Sequence, residues 1–399
     1  QRVEVMILSV KTEGLPRRTL CPLAILNYRA RYVIVFSSMK NLRDILLPVI
    51  NDIRAGKKTV EVSELWGASK ALFLFGLWRE AGRPLVVVTA TEEEAESLAE
   101  DLRFFAENKA LVTAGGAAEG LTKNPSATHS PPPIENGGSP FSPPFVSLFP
   151  PWGLLPFEAD SPDSGTMGER MRFLYSLISG DRGIFVAPVR ALIQKLPPWE
   201  LFADSVTTVS AGTQLDQDSF IESLIGTGYE SASLVTRVGE FSRRGGIIDL
   251  FSPAHEHPVR MEFGGDTVES LRWFDPETQR SIAEIKQVVL LPVRELIVNS
   301  AGIERFSART GDDALVEQVR QGIVPPGAEF LAPFFYDMES LFQYLPDDSL
   351  VSLIEPDDIR KQIEEENRKT TEGRAEEIDE GRTLPEASEL YLDSREIAT

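Results

Sequence analysis

The sequence has few of the residues that build disulfide frameworks and metal centres, with one cysteine and three histidines among 399 residues. A disulfide scaffold and a cysteine-rich metal site are therefore excluded, and a reducing cytoplasm fits this composition. No uninterrupted apolar run reaches the roughly 18 residues of a membrane span, so we expect no membrane partner. Basic residues are also scarce, with 40 Lys+Arg against 61 Asp+Glu and a net charge of -21. The chain as a whole repels phosphate backbones, which restricts any DNA contact to a local patch.

The residues that are present predict an α/β fold. Apolar, β-branched strands at 59–62 and 84–89 alternate with helices at 70–80 and 92–107. Strands that are apolar throughout and alternate with helices are typical of a parallel sheet covered on both faces.

Changes in composition divide the chain into five parts. The opening residues are basic and lack a clear apolar period, the middle contains short alternating strands, and the end is rich in acids. A Gly- and Pro-rich stretch within the second part cannot bury enough apolar surface to order itself. We therefore predict a disordered leader of unclear origin (1–38), the first part of a parallel-sheet lobe (39–204) with a flexible insertion (113–144), an inserted α+β domain (205–288), the second part of the lobe (289–360) and an acidic helical or linker tail (361–399).

The turn after the first of these strands lies where a phosphate-binding loop would lie. Such a loop needs the pattern G-x-x-x-x-G-K-[ST], because the glycines admit phosphate and the hydroxyl holds magnesium. Here Glu64 and Ser69 replace the glycines and Ala71 replaces the hydroxyl, and only Lys70 is retained. The sequence predicts a degenerate loop, with no catalytic residue and no cofactor for this chain.

Neither of two candidate metal sites is favoured. His255 and His257 flank Glu256 but lack a fourth ligand at a sensible spacing, so a solvated turn is the better interpretation. The acids at 355–358 follow an apolar strand, and a helix start explains them better than a metal-binding motif does.

Arginines are concentrated in three turn-linked segments, 239–251, 258–266 and 270–281. Guanidinium groups on an antiparallel sheet offer bidentate recognition of carboxylates on a partner protein. Salt bridges to the many acids of the same chain are an equally good interpretation. The residues alone leave both alternatives open.

These segments closely resemble the N-terminal module of bacterial transcription-repair coupling factors (Mfd), a module that UvrB shares. Further stretches match in the same order and extend the resemblance over residues 39–360; they lie at 65–71, 83–89, 98–105, 149–158, 188–192 and 290–295.

The resemblance implies a degenerate helicase-type (RecA-like) lobe, interrupted by a small α+β domain that binds UvrA. The arginines that contact UvrA in the family fall on Arg244 and Arg260. A third position, a phenylalanine in the family, is Gly264 here, and the neighbouring Phe263 is the residue that could replace it.

The resemblance also implies a function, that of a non-catalytic adaptor that recruits UvrA to stalled RNA polymerase. The full-length family is an ATP-dependent DNA translocase, so we expect this chain to be a fragment without the motor that uses ATP and Mg. RNA polymerase and DNA would then be contacted only through other domains, and an intramolecular contact with the motor is a compatible role. The alternative is a UvrB-like or helicase-like ATP-dependent repair enzyme that uses the Lys70 loop.

Overall fold

The computed structural model describes residues 4–8, 42–57, 59–62, 65, 67–108, 146–379 and 382–393, with side chains from Leu46 onward. The predicted flexible insertion, 113–144, lies outside the described residues, as does most of the predicted leader. The chain forms two compact units, one from residues up to 148 with 182–188 and 347–359, the other from 149–181, 189–346 and 360 onward.

The described residues contain fourteen strands. In chain order they are β1 Glu4–Leu8, β2 Thr59–Val62, β3 Leu85–Thr89, β4 Val146–Leu148, β5 Ile184–Pro188, β6 Thr207–Ser210, β7 Glu230–Ser231, β8 Glu240–Arg244, β9 Ile247–Leu250, β10 Val259–Gly264, β11 Thr267–Phe274, β12 Ser281–Ile285, β13 Gln287–Leu290 and β14 Leu350–Ile354.

The helices of the described residues range from one turn to 24 residues. The α-helices are Leu42–Arg54, Ala68–Ala81, Glu92–Glu107, Ser164–Ile178, Val189–Leu192, Trp199–Ser205, Gln217–Gly226, Ser300–Thr310, Asp313–Arg320, Ala332–Phe335, Pro356–Asp379 and Ala387–Leu390, and the 3-10 helices are Ala328–Leu331 and Leu341–Tyr344. No described helix is both long and apolar enough to cross a membrane.

The first unit contains a parallel sheet with the strand order β2-β1-β14-β3-β5-β4. Every residue of β3 and β5 is buried, as their uninterrupted apolar sequence predicts. The helix Ala68–Ala81 is buried from Ala71 to Leu77, and Thr91 caps the next helix by accepting a hydrogen bond from the Glu94 amide at 3.2 Å. The α/β prediction is confirmed, and strands from both sides of the predicted inserted domain build this sheet.

Strand β1 differs from the prediction of a disordered leader over residues 1–38. Its five residues pair in parallel with β14 on one side and with β2 on the other. The reason is local: four of the five residues of β1, Val5 to Leu8, form an apolar run without proline, and the basic, proline-containing composition of the whole segment conceals it.

The second unit contains an antiparallel sheet with the strand order β12-β11-β10-β9-β8-β7, in which only β7 pairs in parallel. One face carries an apolar core that includes Ile248, Met261 and Leu271. The helix Gln217–Gly226 and the strand pair β6–β13 contribute the other side of this core through Phe220 and Val288, among others. The α+β texture expected for this region is therefore present.

The acidic end of the chain is packed more extensively than a solvated tail. Within 382–393, Leu384, Leu390 and Leu392 are buried, and the Leu392 amide donates to the Ile193 carbonyl at 2.7 Å. Fewer than half of the described residues from 361 onward are exposed, so acidic composition overstated the solvation of this segment. It concealed three leucines whose spacing follows no single period.

A buried ion pair anchors the second unit. Arg170 is fully buried, and its Nε donates to Glu295, whose side chain is also buried. Its Nη1 donates to the Pro150 carbonyl at 2.6 Å, and its guanidinium lies 4.0 Å from the centroid of the Phe149 ring. Each partner offsets part of the desolvation penalty of the other, since neither charge can reach water.

Removing one member of this pair should destabilise the unit strongly. We expect Glu295→Ala to lower the free energy of unfolding by about 3–5 kcal/mol, because the Arg170 charge stays buried without a partner. The matched control is Asp337→Ala, which breaks the exposed pair with Arg305. It should change the free energy of unfolding by less than about 1 kcal/mol. Urea unfolding measures both, and equal effects would show that the Arg170 pair is not an anchor.

Candidate partner-binding face of the antiparallel sheet

Successive side chains of β10 alternate between the two faces of the antiparallel sheet. Met261 belongs to the apolar core, so Arg260 and Glu262 lie on the opposite face. On that opposite face Arg260 stands directly across from Asp249 on β9 and from Arg272 on β11. We call this surface the polar face.

Arg260 is tied to its own sheet. Its Nε donates to Oδ1 of Asp249 at 2.7 Å and its Nη2 donates to Oδ2 at 2.8 Å, a bidentate pair between neighbouring strands. The Arg260 side chain is 21% exposed and that of Asp249 only 4%. The guanidinium also lies 4.8 Å from the centroid of the Phe274 ring. The bond to Asp249 raises the pKa of Arg260 above its usual value, so the arginine is charged at any physiological pH.

A small apolar cluster covers the polar face beside this pair. Val235 and Phe274 are buried together with Phe251. The Gln279 amide Nε2 donates to the Val235 carbonyl at 3.0 Å, which joins the segment 232–238 to the turn after β11. Arg260 is therefore half-enclosed, and only part of its guanidinium can reach a partner.

Arg244 occupies the open end of the polar face. It stands opposite Ile247 across a hairpin whose two turn residues are Gly245 and Gly246. Gly245 has φ of +60°, which side-chain-bearing residues rarely adopt. A Cβ on Gly246 would lie 2.9 Å from the Phe263 carbonyl oxygen, so β10 approaches too closely for any larger residue. The Arg-Gly-Gly sequence thus places Arg244 at the tip of a tight turn.

The Arg244 guanidinium is exposed and only partly engaged. Its Nη2 donates to the Ser233 carbonyl, and its other nitrogens have no protein partner among the residues that the structure describes. One bond fixes the direction of the side chain while the remaining donors face solvent. Arg244 and Arg260 therefore share a face, but β9 separates their strands and their environments differ.

Phe263 does not lie on the polar face. It packs against the apolar core of the sheet, past a β-bulge between Glu262 and Phe263. Its ring therefore lies on the face opposite Arg244 and Arg260. A Cβ on Gly264 would lie 2.1 Å from Oε1 of Glu269, so a flexible carboxylate side chain occupies the space of the absent ring.

Sequence reasoning missed two residues of the polar face. Asp249 was not recognised as the partner of Arg260, although an acid between Ile248 and Leu250 in a buried strand signals a required ion pair. Ile247 was not recognised as an exposed apolar residue beside Arg244. Only the strand register brings these pairs together.

The predicted degenerate phosphate loop belongs to the other unit, where its described residues lie at the start of the helix Ala68–Ala81. Lys70 Nζ lies 2.8 Å from Oε1 of Glu355, the residue that follows β14, and both side chains are about one-fifth exposed. Ala71 is fully buried in the apolar core, and Ser69 lies in the first helical turn. Glu64 lies outside the described residues. These residues do not fit ATP with magnesium, because a carboxylate holds the lysine and no hydroxyl stands at position 71.

The acids after β14 begin a helix, as predicted. Pro356 is its first residue and Asp357 and Asp358 lie in its first turn, where carboxylates favour the helix dipole.

The predicted solvated turn at the histidines is correct for His257 and Glu256, which are exposed, and not for His255. Its Nε2 donates to the Val289 carbonyl at 2.7 Å and its ring centroid lies 4.6 Å from that of Trp273. Burial lowers the pKa of His255 to about 4. Across the described ranges, no group of three or more His, Cys, Asp or Glu side chains could hold a metal ion.

Comparison with known proteins first gives the class of domain. The family model of the UvrB interaction domain matches residues 208–296, a range that contains the whole antiparallel sheet. The resemblance inferred from the sequence is thus confirmed over the region that carries Arg244 and Arg260.

Over longer stretches the chain is similar to transcription-repair-coupling factors. It is 33% identical over 314 residues to that of Myxococcus xanthus, which covers 75% of this chain and 24% of the relative. It is 34% identical over 215 residues to that of Haemophilus influenzae (51% and 19%) and 31% identical over 210 residues to that of Escherichia coli (50% and 18%). The chain spans about a quarter or less of the length of these curated relatives.

The two arginines should differ in their effect on stability. Arg260→Ala leaves the buried Asp249 without its partner, and we expect it to lower the free energy of unfolding by about 2–3 kcal/mol. Arg244→Ala removes an exposed side chain and should change the free energy of unfolding by less than about 0.5 kcal/mol.

Urea unfolding of both variants measures the difference. Adding Asp249→Asn to Arg260→Ala should restore part of the loss, since it removes the unpaired charge. If Arg260→Ala unfolded at the wild-type urea concentration, the ion pair would not support the sheet.

Proposed function

We propose that this chain is a non-catalytic adaptor module that recruits UvrA during transcription-coupled nucleotide excision repair. The match of the UvrB interaction domain to residues 208–296 is the observation that carries this proposal. The similarity to transcription-repair-coupling factors supports the connection to transcription, and the polar face offers the binding surface.

The geometry of the polar face supports recognition of a carboxylate on the partner. Arg244 presents free donors at the end of a rigid hairpin, and a planar guanidinium binds a carboxylate in two parallel hydrogen bonds. Arg260 lies on the same face two strands away, with its charge paired to Asp249. The positive charge of Arg244 stands out against a net charge of -21.

The state of the phosphate loop supports an adaptor rather than an enzyme. Glu355 neutralises Lys70 at the place where a nucleotide hydrolase needs the lysine for phosphate. A bound triphosphate would have to displace this carboxylate and would find no glycine at positions 64 and 69. We therefore propose that this chain neither binds nor hydrolyses ATP, against the alternative of a UvrB-like or helicase-like enzyme.

Two further parts of the proposal concern the rest of the family's activity. We assign contacts with RNA polymerase and DNA, and translocation driven by ATP, to those regions of the longer relatives that this chain does not match. The site of action is the cytoplasm, where the family's substrates lie.

Binding to UvrA tests the adaptor proposal. We expect Arg244→Ala to weaken UvrA binding at least about thirtyfold, ~2 kcal/mol, because it leaves a partner carboxylate buried without its ion pair. Arg244→Lys should bind nearly as poorly, since lysine lacks the two-pronged geometry. Isothermal titration with purified UvrA measures both variants.

The matched control is Arg243→Ala, which removes an arginine from the same strand on the opposite face, where it pairs with Asp218. It should bind UvrA like the wild type. Wild-type affinity in Arg244→Ala would remove the polar face from consideration, and no binding by the wild-type chain would remove the adaptor function.

Nucleotide binding tests the non-catalytic part. Several millimolar ATP with magnesium should leave the melting temperature of the wild type unchanged. Glu355→Gln should give the same result, because freeing Lys70 restores neither the glycines nor the hydroxyl. A rise of several degrees that Lys70→Ala abolishes would establish a nucleotide site and favour the enzyme alternative.

A further inference from the structure

Two exposed aliphatic side chains lie beside Arg244. Ile247 is 37% exposed and stands directly opposite Arg244 across the two-glycine hairpin, where Cβ atoms of paired residues are about 5 Å apart. Leu234 is 46% exposed and directly follows Ser233, whose carbonyl accepts the hydrogen bond from Arg244 Nη2. The guanidinium therefore has an aliphatic residue on the neighbouring strand and another on the covering segment.

Neither aliphatic side chain serves the fold. The strand face that holds Ile248 carries the core, and the apolar contact of the covering segment is made by Val235, which is fully buried. Both stay exposed, one in a tight hairpin and one in a segment that a hydrogen bond ties to the turn after β11, beside an arginine whose guanidinium makes one hydrogen bond. Arginine surrounded by apolar residues that exclude water is the typical composition of an interface hot spot.

The net charge of the chain makes apolar contacts at Leu234 and Ile247 important for binding an acidic partner. A net charge of -21 repels a partner surface that presents carboxylates, so ion pairs alone must work against a long-range repulsion. The anchor position used by the family is occupied here by the Glu269 carboxylate beside Gly264. Apolar contact must come from elsewhere on the polar face.

We propose that Leu234 and Ile247 form the apolar anchor of the UvrA contact in this chain and replace the aromatic residue missing at Gly264. This inference rests on the adaptor function proposed above. The matching surface of UvrA presents a carboxylate flanked by apolar side chains, which close over Arg244 and exclude water from its hydrogen bonds.

Titration of the full chain with UvrA tests the anchor. Leu234→Ser and Ile247→Thr should each weaken binding at least about tenfold, while the slope of affinity against salt concentration stays that of the wild type, because no charge is removed. Arg244→Ala should instead weaken binding and flatten that slope. Ile282→Thr is the matched control, an isoleucine 51% exposed on β12 of the same sheet, and should bind like the wild type.

The outcomes separate this inference from the adaptor function. If Arg244→Ala weakens binding while Leu234→Ser and Ile247→Thr do not, the anchor is wrong and the adaptor function stands. If the wild type does not bind UvrA, both fail. If sedimentation shows a concentration-dependent dimer that Ile247→Thr abolishes, the surface binds a second copy of this chain and the proposed apolar anchor for UvrA is wrong. Urea unfolding unchanged from the wild type shows that each variant is folded.

Discussion

The bidentate pair between Asp249 and Arg260 is the interaction on which the polar face depends. It joins β9 to β10 across the middle of the antiparallel sheet and satisfies a carboxylate that is almost completely buried. The pair distinguishes the two arginines, because the Arg260 guanidinium is bonded within the sheet whereas Arg244 makes one bond, to the Ser233 carbonyl, and is otherwise exposed. A residue can thus belong to a binding surface and still act mainly by holding that surface in shape.

An ion pair within the chain also bears on what the parallel-sheet unit can bind. There the pair between Lys70 and Glu355 occupies the place where a working phosphate loop needs an uncommitted lysine. In the described residues of this region the lysine is held by a carboxylate and Ala71 is buried in the apolar core. These contacts support our proposal that the function of this chain lies on the antiparallel sheet.

The sequence was sufficient for what depends on local pattern and insufficient for what depends on register. Apolar runs predicted the buried strands β3 and β5, and the altered loop around Lys70 was readable directly. The partner of Arg260 could not be read, because Asp249 lies eleven positions away and meets it only through strand pairing. Phe263 was considered as an anchor for the same reason, since only the assembled sheet shows that it shares the core face with Met261.

Hydrogen exchange of the chain with and without UvrA reports where the partner binds without any substitution. If UvrA binds the polar face, we expect slower exchange of amides in β8, β9 and the segment 232–238, with β3 and β5 of the parallel sheet unchanged. Protection in the parallel-sheet unit, with exchange around Arg244 unaltered, would contradict binding at the polar face.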